Sequence, residues 1–396
     1  MWSEQKEEFD CIVVGGGPAG STFARITASS GLSVLLLEKD RDIGVPVRCG
    51  EGISDKGLRL FVEPDPRWIT SKINRIKMVA PDETVVEFDL VETGYILDRR
   101  IFDYDLAQYA AQEGAQIVTK AYVDGLIIED DKVAGVKGIH LGERFEKKAK
   151  IVIGADGVES RVGRWAGLQT HLKLKDMESG IQKTVAGIEV TENMFEFYLS
   201  KKWAPGGYLW VFPKGKNKAN IGVGISGYYA KDGKAAHKFL DEFIHWKYPH
   251  ASVLTTVVGG IPVGKTVKQM VADGLMLVGD AAHTCNPLTG GGITPGMRSG
   301  LLAAETAIKA LQKGGPTRQN LSSYEKEWHK IGGKNHERFY RIKESLYKLN
   351  DDELNNIART IVAVPEKNRT LMKLFSAAVR EKPSLILDVA RVFAGI

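Results

Sequence analysis

Gly15, Gly17 and Gly20 are spaced as Gly-x-Gly-x-x-Gly, behind the apolar run Cys11-Ile-Val-Val and ahead of a stretch that reads as helix to about Ser30. The first glycine permits a sharp turn. The second lets backbone approach a diphosphate. The third lets the helix pack closely on the strand. The helix start offers unpaired N–H groups and the positive end of its dipole to an anion. A second apolar run, Val34-Leu-Leu-Leu, ends at Glu38, 18 residues after Gly20. A carboxylate there accepts hydrogen bonds from ribose hydroxyls and repels a 2′-phosphate. Strand, turn, helix, strand and acid in register read as a dinucleotide site rather than as a glycine turn without a ligand.

A different chemistry is suggested by Pro205-Gly-Gly-Tyr208-Leu-Trp210-Val-Phe212-Pro213. A strand repeats every two residues, so Tyr208, Trp210 and Phe212 share one face and Leu209 and Val211 the other. Three rings on one face make a broad, rigid apolar wall. An extended apolar chain would bury well there, at roughly 0.8 kcal/mol per CH₂. The competing reading is that the rings pack a domain core.

The three cysteines, Cys11, Cys49 and Cys285, are too few and too scattered for a disulfide framework. None is spaced for a zinc ribbon, and we read no metal site. Cys11 falls in the first strand and reads as core.

The elements that must position these groups follow in order. A glycine-rich stretch runs to about residue 65. Residues 72–97 alternate like strands. A helix spans about Phe102 to Glu113. Strands lead through Ile117-Val118, Leu126-Ile-Ile128 and Ile151-Val-Ile153 to Gly154-Ala-Asp156-Gly157. Residues 180–265 alternate again. Leu275-Met-Leu-Val278 enters a second glycine cluster and a helix from about Pro295 to Lys313. The expected fold is α/β. A Rossmann-like dinucleotide domain is built from residues 1–70, 98–165 and 268–315. An antiparallel-sheet substrate domain takes 71–97 and 166–267, and a helical segment takes 316–396.

With 396 residues, 43% hydrophobic and 26% charged, the chain is neither disordered nor collagen-like. The net charge of +5 resides in the last segment, where residues 316–396 carry 15 Lys/Arg against 10 Asp/Glu. That excess reads as a solvated helical surface or as attraction to anionic lipid. No Arg-rich tract points to nucleic acid. The polar, acidic start argues against a secretory signal, and no apolar run approaches the ~18–20 residues of a span. The expected location is cytoplasmic, with peripheral contact at the inner membrane surface. Two stripes at helical spacing, Leu371/Leu374/Phe375/Ala378/Val379 and Leu385/Val389/Val392/Phe393, pack on their own protein or face a membrane.

Gly274-Leu-Met-Leu-Val-Gly-Asp280-Ala-Ala-His283, then Pro287-Leu-Thr-Gly-Gly-Gly-Ile293, resembles the strand–Gly-Asp–helix motif of FAD proteins of the p-hydroxybenzoate hydroxylase type. Asp156-Gly157 with Ser160-Arg161 resembles that fold's Asp-Gly motif. The resemblance implies FAD, with Asp280 on a ribityl hydroxyl and Gly292 and Ile293 at the isoalloxazine edge. No second Gly-x-Gly-x-x-Gly follows, which argues against a separate NAD(P)H domain. Val47-Arg48-Cys49-Gly50-Glu51-Gly52 and the Tyr208–Pro213 string are more particular. Over about residues 8–315 the chain is similar to geranylgeranyl reductases of the archaeal digeranylgeranylglycerophospholipid reductase type. Ala19, Glu38, Cys49, Gly50, Gly52, Arg99, Asp280, Gly292 and Ile293 match that family's FAD-contacting positions. Arg99, in Tyr95-Ile-Leu-Asp-Arg99, is expected near the flavin's phosphate or ribityl chain; alone it reads as a helix-entry charge.

The implied reaction adds hydride and a proton to an isolated alkene, with positive charge developing at the substituted carbon. Cys49, Tyr208 or a bound water would give the proton. Cys49 otherwise reads as a small packing residue against the flavin and His283 as structural; Cys285, converging on the flavin with Cys49, gives a redox pair as a further alternative. The substrate is expected to be a geranylgeranylated lipid or diphosphate. The electron donor is external: a ferredoxin, NADPH or a quinol-linked route. The rivals are a flavin monooxygenase, which would insert oxygen, and a prenyl-binding carrier resembling the Rab GDP-dissociation inhibitors, which would do no chemistry.

Overall fold

The computed structural model describes residues 7–381 and 383. Its first sheet contains β1 (Glu8–Val14), β2 (Val34–Leu37), β6 (Gln116–Val118), β7 (Ala121–Glu129), β8 (Lys132–His140), β9 (Glu143–Gly154), β15 (Val271–Ala272) and β16 (Leu275–Leu277). The order is β15-β16-β9-β1-β2-β6. The run from β16 to β6 is parallel, and β7 and β8 form an antiparallel flap on β9. Cys11, Ile12, Val13 and all of β2 are fully buried, as strands covered on both faces must be. Cys11 is core, as the sequence suggests.

The helix Pro18–Ser29 leaves the glycine turn with Pro18 at its first position, where the missing N–H is no loss. The helix Ile293–Gln312 crosses it at close range. A Cβ on Gly300 would stand 2.4 Å from the Ala19 carbonyl oxygen, so only glycine permits this approach. The helix before β6 begins at Arg99, earlier than the apolar pattern indicates, because Asp98 caps it by accepting the Arg100 N–H at 3.2 Å.

The second sheet contains β3 (Gly52–Ser54), β4 (Ile69–Val79), β5 (Val85–Leu97), β10 (Met177–Ala186), β11 (Met194–Tyr198), β12 (Tyr208–Pro213), β13 (Lys218–Ser226) and β14 (Ser252–Pro262), in the order β14-β10-β13-β12-β11-β4-β5-β3. Its pairs are antiparallel except β11 with β4. The helix Ala236–Lys247 covers one face and, through Leu240 and Phe243, builds a core with Val185, Leu209, Val211 and Ile221. The opposite face looks toward the first sheet.

Helices between Arg318 and Glu381 close the chain. Leu374 and Ala378 pack on Ile76, Val86 and Phe88, while Phe375 and Val379 pack on Ile342. The first of the two tail stripes therefore packs largely on its own protein. The second, Leu385 to Phe393, lies outside the described residues. Several tail cations act as fasteners: Arg359 pairs with Asp82 at 2.7 Å, and Arg369 donates to the Val362, Val364 and Glu87 carbonyls. No described helix is long and apolar enough to cross a membrane.

Candidate functional site

A cleft runs between the two sheets. One wall carries Gly17, Ala19, Ala155, Gly157, Asp280, Gly292 and Ile293. The other carries Gly180, Gln182, Trp210 and the end of β14, and Arg48, Cys49, Gly50 and Arg99 close one side.

The three glycines of the turn differ in role. Gly15 has φ +111°, and a Cβ there would fall 2.3 Å from the Ala155 carbonyl oxygen. A Cβ on Gly20 would fall 2.1 Å from the Gly15 carbonyl oxygen. Both are demanded by the protein's own packing. Gly17 is not: a Cβ there would meet nothing within 4 Å, and its φ of −71° suits any residue. The space it keeps open faces the cleft at a helix N-terminus, where a diphosphate is stabilised. Glu38 braces this turn. Its Oε2 accepts the Gly16 N–H and its Oε1 the Asp40 N–H, each at 2.9 Å.

Asp280 faces Gln182 and Trp210 across the cleft, and no hydrogen bond from a described residue reaches its carboxylate. Burial lifts its pKa to about 6, with the Arg99 charge opposing. A Cβ on Gly292 would lie 3.3 Å from Asp280 Oδ1 and 3.8 Å from Cys285 Sγ, so glycine keeps the approach to the acid clear. Asp156 Oδ2 accepts the Val162 N–H at 3.0 Å, while its buried Oδ1 has no partner among the described residues. A phosphate cradle at the helix start, an unpartnered carboxylate and bare glycine backbone opposite a wide wall fit FAD. Gly17, Ala19 and the helix start would take the diphosphate, Asp280 the ribityl chain, and the Gly290–Ile293 loop the ring.

With Asp280 on the ribityl chain, FAD binding should be pH-dependent. The ionised Asp280 is the better acceptor for a ribityl hydroxyl, so affinity should fall up to about tenfold per unit as pH drops below about 6. In the apoprotein the sign is opposite. The folded pKa lies above that of an ordinary aspartate, so this carboxyl favours the fold at low pH and that contribution is lost as pH rises through about 6. Fluorescence titration of FAD from acid to neutral pH checks this; Asp280→Asn should flatten the profile.

Cys49 lines the cleft. Burial holds its thiol above the usual range, with Arg99 opposing, so it is protonated at neutral pH. Its carbonyl accepts the Gln182 Nε2–H at 2.9 Å, and Gln182 Oε1 accepts the Trp210 indole N–H at 3.1 Å. That chain fixes the tryptophan across from the glycine turn. Arg99 forks onto Asp103 through two 2.5 Å bonds and presents its edge to the cleft.

The aromatic face is arranged as strand parity requires. Tyr208 and Trp210 rings lie 5.9 Å apart, Trp210 and Phe212 6.3 Å. The three rings play different parts. Trp210 lines the cleft. Phe212 is buried against Gly50, where a Cβ would lie 3.1 Å from its ring, and against Phe195 and Phe197. Tyr208 donates its hydroxyl to the Thr289 carbonyl at 2.5 Å and so holds the glycine loop. Gly15, Gly20, Glu38, Gly52, Tyr208 and Phe212 lie behind or beside the cleft wall. Cys285 lines it, with its thiol held protonated by burial. His283 has φ +55°, and burial lowers its pKa to about 4, which keeps the imidazole neutral.

Sequence reasoning passed over Glu51. It is buried with φ +69°. Its Oε1 accepts the Arg99 N–H at 2.9 Å, and its Oε2 accepts Lys214 Nζ and Asn220 Nδ2, each at 2.6 Å. It bolts the Cys49–Gly50 loop to β12 and β13. An acid set between two glycines was the available signal. Glu178 was missed as well. Buried on β10, it accepts the Tyr347 hydroxyl at 2.5 Å from the C-terminal helices, and burial pushes its pKa to about 7 against the opposing effects of Tyr347 and Lys343.

Residues 176–261 match the family model described as geranylgeranyl reductase catalytic domain, and residues 13–70 match the one described as NAD(P)-binding Rossmann-like domain. The chain is 43% identical to the digeranylgeranylglycerophospholipid reductase of Methanocella arvoryzae, over 97% of this chain and 99% of that one. It is 42% identical to the protein of the same name from Methanosarcina mazei, over 98% and 97%. Among solved structures, a geranylgeranyl bacteriochlorophyll reductase-like protein from Thermoplasma acidophilum superposes with a TM-score of 0.91 at 36% identity, over 98% of this chain and 100% of that one. With near-complete coverage in both directions at this identity, the chain belongs to the digeranylgeranylglycerophospholipid reductase family.

Proposed function

We propose that the protein is an FAD-dependent reductase that saturates isolated C=C bonds of geranylgeranyl chains on archaeal-type ether phospholipids. The observation that carries this reading is one cleft in which the phosphate turn and Asp280 face Trp210 and a glycine-floored sheet. Residues 1–70, 98–165 and 268–315 serve the cofactor, 71–97 and 166–267 the prenyl chain, and the described helices between Arg318 and Glu381 brace the two. When bound and reduced, FAD supplies hydride.

The protein's own groups do the rest. Trp210, locked through Gln182, gives the alkene a flat apolar wall, and Tyr208 sets the loop at the ring's edge. Gly180 and Gly259 leave backbone, not side chains, on the cleft floor. Walls of this kind exclude water, which favours delivery of one proton to carbon over side reactions. Cys49 is the proton donor we favour, because its protonated thiol faces the cleft while the Tyr208 hydroxyl is engaged with Thr289. An external donor, a ferredoxin or NADPH, restores the reducing equivalents.

Anaerobic single turnover tests the reading. Reduced protein mixed with digeranylgeranylglycerophospholipid should regain oxidised-flavin absorbance without oxygen. A monooxygenase would stay reduced. Cys49→Ser, with FAD retained, should slow this step ~100-fold or more, in the range set by loss of a positioned acid. An unchanged rate would remove Cys49 from the chemistry.

A further inference from the structure

β14 is the outermost strand of the second sheet, and no charged residue occurs between Ser252 and Pro262. Exposed edge strands are usually blunted by charge, proline or a covering element. Here Val253 is 48% exposed, Leu254 57% and Val258 62%. The register sets Val253 and Val258 opposite Val185 and Ile181, on the face that carries the helix Ala236–Lys247 but beyond its cover. The same strand forms the lip of the cleft through Val257, Val258, Gly259 and Ile261, with the half-exposed Arg48 side chain lying along Gly259.

We propose that β14 is the surface on which the protein docks to an anionic lipid bilayer, and that prenyl chains pass over this lip into the cleft. The inference rests on the lipid substrate proposed above. A geranylgeranyl chain drawn through water would cost more than about 10 kcal/mol at roughly 0.8 kcal/mol per CH₂, so the cleft mouth must meet the bilayer. An uncharged apolar strip continuous with the mouth meets that need. Arg48, whose half-exposed side chain lies along Gly259, suits the headgroup level of an anionic membrane. The contact is shallow, because the unpaired N–H and C=O groups of a sheet edge require headgroups or water. Pairing of this edge with a second copy would lay a strand across the mouth and obstruct entry of a two-chained lipid.

The test is flotation of the FAD-loaded protein with vesicles of equal parts phosphatidylglycerol and phosphatidylcholine, comparing wild type with Val253→Asp/Leu254→Asp. Both sites are exposed and outside the cleft wall, and flavin content and thermal midpoint verify the fold. Wild type should float, and the variant should lose at least about tenfold in partitioning. Both should reduce detergent-dispersed substrate equally. The proposal is overturned if wild type stays with the soluble fraction, if the variant floats equally well, or if light scattering shows a wild-type dimer that the variant splits. Failure of wild type to reduce the lipid even in detergent would instead sink the functional reading, with the flotation result standing on its own.

Discussion

Gly17→Val should yield a folded protein that cannot hold FAD. A side chain at this position meets no protein atom within 4 Å, and the backbone is in a conformation valine adopts readily. The fold should therefore keep its thermal midpoint and circular dichroism. The isopropyl group would stand at the helix start, where our assignment puts the diphosphate within hydrogen-bonding distance of backbone. We expect FAD affinity to fall ~100-fold or more, about 3 kcal/mol. Gly20→Val should behave differently. Its Cβ would collide with the Gly15 carbonyl, so that variant should lose the turn and much of its stability. Flavin fluorescence titration beside thermal melts separates the two outcomes. A Gly17→Val protein that binds FAD normally would place the diphosphate elsewhere.

The second large effect is expected at Glu51. Glu51→Ala strands the Lys214 ammonium, whose side chain is 9% exposed, and leaves Asn220 and the Arg99 N–H without their shared acceptor. Breaking one partner out of a buried ion pair costs about 3–5 kcal/mol. The loss should appear as a lower urea midpoint with weaker flavin retention, because the loop carrying Cys49 and Gly50 loses its anchor. Adding Lys214→Met removes the stranded charge and should recover much of the stability. If the single variant unfolds at the wild-type midpoint, Glu51 is not the bolt described.

The contrast between these two residues explains what was legible in the sequence. The Gly15–Gly20 turn is a local device. Its strand, turn and helix are contiguous, and the conformational demand on Gly15 and the close approach at Gly20 are written into adjacent residues. The shared face of Tyr208, Trp210 and Phe212 follows from strand periodicity alone. Parity does not say what stands opposite, so the burial of Phe212 against Gly50 and the tie of Tyr208 to Thr289 had to come from the fold. Glu51 gathers donors from residues 99, 214 and 220, and no local pattern announces such a convergence. Gln182 is equally silent: one polar residue on a strand, whose partners Cys49 and Trp210 arrive from distant segments.

The C-terminal segment is a harder case. Its lysines read as a solvated surface, yet Lys343 is fully buried, held by Asp176 at 3.3 Å and the Val263 carbonyl at 2.9 Å. Tyr347 reaches Glu178 across 169 positions of sequence. Cation count alone could not separate braces from surface charge. β14 shows the converse. Its uncharged run reads as part of an alternating strand region, and only its place at the end of the sheet order shows it as an exposed edge.

The most direct test of the central claim is the mass of the product. FAD-loaded protein, reduced with dithionite under anaerobic conditions, is incubated with digeranylgeranylglycerophospholipid, and the lipid is extracted for mass spectrometry. The account predicts successive gains of two hydrogens with no oxygen added. Recovery of an oxygenated lipid on admitting air, or of unaltered lipid from protein shown to carry reduced flavin, would contradict it.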